Sequence, residues 1–143
     1  MQILADGNRL PDRKVAEDGT VILDGTFSKV IVGLGYETVI RTMPIEFSGQ
    51  DGSFGSRKKR IARMSVQFKN TRGGLFGTND KALDEIKWRS TEKYGEPTRL
   101  CDGKRHIVLP QASYSDTVHI TIKQSDPLPM TVLSIIPEVE PGG

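Results

Sequence analysis

Four consecutive cations, Arg57, Lys58, Lys59 and Arg60, stand near the start of the stretch GSRKKRIARMSVQFKN at residues 55–70. Guanidinium and ammonium groups hold phosphate or carboxylate oxygens through charge-assisted hydrogen bonds. On an extended strand the four would split two and two between the faces, so both faces cannot be buried there. The run is therefore expected at a free strand end or loop mouth. Two uses fit: a solvated entrance that blocks aggregation, or contact with a nucleic-acid backbone. Few aromatic residues interleave with the cations, so a stacking platform for single strands does not fit.

Other reactive residue types are sparse. His106 and His119 are the two histidines, and neither sits in a metal-ligand spacing, so no metal site is expected. Cys101 is alone, which rules out an intramolecular disulfide, and no activating neighbour marks it as a nucleophile. Gly33 and Gly35 in GLGYE do not complete a phosphate-binding GxGxxG pattern, and read instead as a tight turn between strands. The acidic pairs Asp84–Glu85 and Glu138–Glu140 read as solvated, and no GxSxG elbow occurs. No enzyme activity and no cofactor are expected. Trp88, Tyr94 and Tyr114 would form a sugar-binding platform if they met on one exposed face.

These residues need a scaffold, and the chain reads as all-β. Its 143 residues suit a single β domain, and 36% hydrophobic with 27% charged residues is an ordinary globular composition. The net charge of +2 is too weak to imply a nucleic-acid partner by itself. No apolar run approaches the ~18 residues of a membrane span, and the N-terminus lacks the pattern of a secretory signal. Gly and Pro punctuate short apolar runs throughout. Strands are expected at 20–23, 29–32 and 37–43, with turns at Asp18-Gly19 and Asp24-Gly25. The run Val30-Ile31-Val32 suggests cover on both faces. A Gly/Ser-rich flexible loop is expected over 47–56.

Met64, Val66 and Phe68 then alternate with polar residues, while Ile61 is out of phase, so a bulge is expected near Ala62-Arg63. DKALDEIKWRS admits one short helix, or a loop followed by an extended Glu85 to Arg89. The clearest strand signal is Val118, Ile120 and Ile122 facing one way. Thr117, His119, Thr121 and Lys123 face the other, with His119 expected at solvent or a subunit contact. That segment is expected to pair with 131–136 across the proline-containing loop. The expected architecture is a β-sandwich or partly open barrel of short antiparallel strands, with at most one short helix. Its core should include Val21, Leu23, Val30, Val32, Val39, Met64, Val66, Phe68, Val118, Ile120, Ile122, Val132 and Ile135.

Several stretches also carry a likeness. Arg57 to Phe68, Thr71-Arg72-Gly73, Leu100 to Gly103 and Ser125 to Glu140 (SDPLPMTVLSIIPEVE), with VIVGLGYETVIRTMPIE upstream, resemble the C-terminal region of tail tubular protein B, the nozzle protein family of short-tailed bacteriophages. The sequence departs from the family pattern at Cys101, where Thr is usual, and at Gly35, where Pro is usual. The resemblance implies part of a larger structural tail subunit that assembles as a homo-oligomeric, hexameric ring with other tail subunits. It implies transient contact with phage DNA in the channel, with Arg57, Lys58, Lys59 and Arg60 at a neighbouring subunit, at solvent or at that DNA, synthesis in the host bacterial cytoplasm, and a final location in the virion tail. It supplies no catalytic residue.

Overall fold

A computed structural model describes residues 1–46, 57–80 and 82–142, and the backbone of residues 48, 49, 52 and 53. The chain begins with β1 (Gln2–Ala5), β2 (Asn8–Leu10), β3 (Val30–Gly33) and β4 (Thr38–Arg41). A ribbon follows, formed by β5 (Ser48–Gly49) and β6 (Gly52–Ser53); the rest of the loop expected over 47–56 lies outside the described residues. Then come β7 (Lys59–Thr71), β8 (Leu75–Gly77), β9 (Asp84–Glu85), β10 (Cys101–Val108), β11 (Thr121–Gln124) and β12 (Val132–Pro141). Three antiparallel sheets result, in the orders β2-β1-β3, β10-β7-β12 and β4-β11-β8-β9, and none closes into a barrel.

The architecture is sandwich-like because β7 and β11 each present an alternating apolar face to the same core. Ile61, Met64, Val66 and Phe68 of β7 meet Phe76 of β8, Val118, Ile120 and Ile122 on and before β11, and Ile107 of β10. Phe68 lies edge-on to two rings, with its centroid 5.8 Å from Phe76 and 5.2 Å from Trp88. Such pairs add about 0.5–1.5 kcal/mol each beyond area burial. The expected bulge is present. Glu138 lies opposite Arg63 and Val139 opposite Ile61, which leaves Ala62 as the extra residue and returns Ile61 to the buried face.

The connection from β11 to β12 differs from expectation. The two strands do not pair with each other; β11 joins β4 and β8, whereas β12 joins β7. Pro127 and Pro129 cannot donate backbone hydrogen bonds, and the segment crosses from one sheet to the other. It is held there by Arg72 N–H to Pro129 O (3.0 Å), and by the Gln124 amide donating to the carbonyls of Arg72 and Leu128. The β7–β8 corner requires glycine. Gly73 and Gly74 both have positive φ, and a Cβ on Gly74 would lie 2.2 Å from Met130 Cε.

Other expectations are corrected. Residues 20–23 form no strand, although both flanking turns occur, the first closed by Asp18 accepting from the Thr20 N–H (3.0 Å) and hydroxyl. Among the described residues there is no helix; Asp84–Glu85 is extended. Val30, Val32 and Val39 are exposed, on edge strands whose faces are not fully covered, and Val21 and Leu23 are half-buried. Gly33 and Gly35 have no positive φ. Gly35 allows a close approach instead, since a Cβ there would lie 2.7 Å from Cδ of the Gln2 side chain, which would have to shift.

Truncating Phe76, which is fully buried, should cost about 3–5 kcal/mol in urea unfolding. Ile22→Ala, at a side chain 80% exposed, should stay within about 0.5 kcal/mol of the parent. Equal losses in the two variants would place the core elsewhere.

Candidate functional site

The basic run is split by the strand it enters. Arg57 and Lys58 are exposed ahead of β7, whereas Lys59 is 1% exposed. The bulge at Ala62 sets this parity: counting back from Met64 puts Ile61 and then Lys59 on the inward face. The backbone there is clamped on both sides. Lys59 N–H donates to Ser115 O (2.8 Å), Ser115 N–H returns the bond to Lys59 O (3.0 Å), and Gly142 N–H donates to Lys58 O (2.7 Å). The start of β7 is therefore no free strand end, and β7 is the central strand of its sheet rather than an edge.

Arg60 faces outward and finds its carboxylate within the same chain. Its Nε donates to Glu140 Oε2 at 3.0 Å and its Nη2 bonds the same oxygen, while the guanidinium carbon lies 5.0 Å from the centre of the Tyr114 ring. Hydrogen bonding to Glu140 raises the Arg60 pKa further above its ordinary value. Glu138 and Glu140, expected to be merely solvated, lie opposite Arg63 and Arg60 across the β12–β7 ladder.

The three aromatic residues do not form one platform. Trp88 is 8% exposed, packs on Phe68 and donates its indole N–H to Gly73 O (2.9 Å). Tyr94 is fully exposed on the segment after Trp88, and Tyr114 lies against Arg60. Cys101 is buried and accepts from Arg105 Nε at 3.3 Å. His106 shares a 2.8 Å hydrogen bond with the Ser65 hydroxyl.

His119 is not at the surface, as its strand alternation suggested. Its side chain is 13% exposed and its Nε2 lies 3.7 Å from Asp80 Oδ1. Asp80 also accepts from the Thr121 hydroxyl (2.7 Å) and pairs with Arg41 (3.2 Å). The Thr121 bond, followed by the Arg41 charge, lowers the Asp80 pKa. Thr121 donates to the carboxylate and not to the histidine, so the three do not form a nucleophile–base relay. Asp80 and Thr121 lie 41 residues apart, and no spacing in the sequence links them.

A cleft of about 570 Å³ lies where the β2-β1-β3 sheet meets the 85–98 segment and the β11–β12 loop. Its arginines are engaged within the chain. Arg72 donates to Gly7 O (2.6 Å) and Asn8 Oδ1 (3.2 Å), Arg9 pairs with Asp126, and Arg89 donates to the carbonyls of Glu92 and Lys93. Burial lowers the Arg72 pKa. The cleft is thus a braced junction. No group of three or more metal-ligating side chains occurs among the described residues. In comparisons with known proteins, the chain matches no family model and no curated sequence.

Glu92 braces the segment beside this cleft. It accepts from the N–H groups of Ser90 (2.9 Å), Thr91 (3.1 Å) and Arg99 (3.2 Å), and its pKa falls from 4.5 to about 2, the Ser90 bond being the largest cause. A carboxyl depressed in the folded state stabilises above its unfolded pKa and loses that contribution as pH falls through the folded value. Amide protection over 90–99 should therefore decline between pH 4.5 and about 2. Glu92→Gln should show weak protection there already at neutral pH. Unchanged protection in the variant would remove the bracing role.

Proposed function

We propose that this chain is a structural domain of a bacteriophage tail, part of a nozzle subunit acting in virion assembly and DNA passage. One observation carries the reading. The stretches at 57–73, 100–103 and 125–140 that resemble the nozzle family reach the three neighbouring strands of one sheet, β10-β7-β12, and the upstream stretch at 30–46 supplies β3 and β4 of the other two sheets. The likeness therefore runs through all three sheets, and the sheet that holds three of these stretches supplies Ile61, Met64, Val66, Phe68 and Ile107 to the core. Its role on this reading is mechanical, with no chemistry of its own.

The state of the basic run supports passage rather than capture of DNA. Each phosphate contact contributes about 0.9 to the slope of log affinity on log salt, so several contacts bind tightly. With Lys59 inside and Arg60 on Glu140, Arg57 and Lys58 are the exposed pair of the run. A carbohydrate-binding role has less to stand on, because Trp88 lies in the core.

Fitting the domain into electron-microscopic density of the particle should place it in the distal tail; density elsewhere would refute the proposal. In solution, duplex DNA should bind no tighter than ~10⁻⁴ M at physiological salt, at the weak end of non-specific binding. Arg57→Gln with Lys58→Gln should alter this little. Micromolar affinity lost in that double variant would reassign the run as a DNA grip. Lys59 is best left intact in such tests, since its burial would confound them with unfolding.

A further inference from the structure

The segment from Val30 to Met43 presents its apolar residues outward. Val30, Ile31, Val32, Leu34, Tyr36, Val39, Ile40 and Met43 are each between 40% and 82% exposed. Exposed apolar surface beyond a few hundred Å² on a monomer marks an interaction site, and each partner gives ~800 Å² to a stable interface. Ile31, Leu34 and Tyr36 share the wall of one depression of about 350 Å³, so this part of the surface is continuous.

Within the segment, β3 pairs with β1 on one side, and among the described residues no strand pairs with its other side. The edges of the three sheets are β2, β3, β4, β9, β10 and β12. Five of them carry the guards that keep edges from pairing. β2 has Arg9, β4 has Arg41, β9 has Asp84 and Glu85, β10 has Asp102, Lys104 and Arg105, and β12 has Pro137 and Glu138. β3, with the sequence VIVG, has neither charge nor proline.

The same sequence suits pairing with itself. Val30-Ile31-Val32 reads identically in both directions, so a two-fold axis at Ile31 places Val30 opposite Val32 of a second copy and Ile31 opposite its counterpart. Lys29 then faces Gly33, and no like charges meet. The backbone agrees. Lys29 O accepts from Asp6 N–H (2.8 Å), so Lys29 turns its peptide groups toward the β1 side. By alternation Ile31 does the same, and Val30 and Val32 direct theirs to the open edge. Two hydrogen-bonded Val30–Val32 pairs would flank a non-hydrogen-bonded Ile31 pair, the arrangement that brings side chains closest.

We infer that the free edge of β3 is a homotypic docking surface, at which a second copy of this chain pairs antiparallel about Ile31 to extend the β2-β1-β3 sheet across a two-fold axis. The contact stands on this geometry alone and does not depend on the tail role. Sedimentation at roughly 100 μM, where a micromolar dimer is nearly saturated, tests it. The parent should run as a dimer, and Ile31→Lys and Ile31→Glu each as monomers, because like charges directly opposite repel. An equimolar mixture of the two variants should recover the dimer. In the parent, amide exchange at Val30 and Val32 should slow as concentration rises, a readout that needs no variant. A monomeric parent, dimers in either single variant, no recovery on mixing, or exchange at Val30 and Val32 that ignores concentration would each overturn the assignment.

Discussion

The long strand β7 must bury one face, and most of the molecule is arranged to cover it. Ile61, Met64, Val66 and Phe68 line that face, and the opposing sheet supplies Phe76, Ile120 and Ile122. Phe68 between Phe76 and Trp88 ties three separate segments to one ring. Side chains of this size each gain about 1.5–3 kcal/mol on burial, which dominates any single polar contact at the rim. β7 is also paired on both sides, with β10 and β12, so its register is fixed twice. A slip of one residue would turn the whole apolar set to solvent.

That register decides what the basic run can do. A charged residue at position 59 is carried inward by its place on the strand, in the same phase as Ile61, once the extra residue at Ala62 is counted. Arg60 is turned outward and meets Glu140 because β12 runs antiparallel in that register. Four adjacent cations that look equivalent in sequence thus have three different environments. Charge clustering along a chain overstates charge clustering in space wherever the segment is a paired strand.

Much of the fold was legible from alternation. Val118, Ile120 and Ile122, the β7 face, and the bulge near Ala62 could be read because period-two patterns report directly on which face is buried. Pairing partners could not. β11 and β12 are neighbours in sequence joined by a short loop, which resembles a hairpin, but Pro127 and Pro129 with the Gln124 and Arg72 bonds carry the chain between sheets. Edge position was equally hidden. Val30, Val32 and Val39 have the β-branched character of a buried strand, and only the strand order shows that one side lacks a neighbour. The Asp80–Thr121–Arg41 cluster and the Glu92 brace arise from long-range juxtaposition or loop geometry, for which linear spacing holds no signal.

The β2-β1-β3 sheet is attached to the rest by a different kind of contact from the one that forms the core. Ile3 and Ala5 are buried, but neither belongs to the main apolar cluster. The links that join this sheet to the body include the Gln2 amide donating to Ser125 O (2.8 Å), Arg72 to Gly7 and Asn8, and Arg9 to Asp126. These are polar, and the Arg9–Asp126 pair is partly exposed, so salt weakens it. Apolar burial around β7 forms the main core, whereas the smaller sheet combines the burial of Ile3 and Ala5 with polar braces. Regions held mainly by exposed hydrogen bonds open at lower free energy than the core. The same sheet carries the unguarded edge of β3. The edge that carries no guard thus belongs to the sheet that stands outside the main apolar cluster.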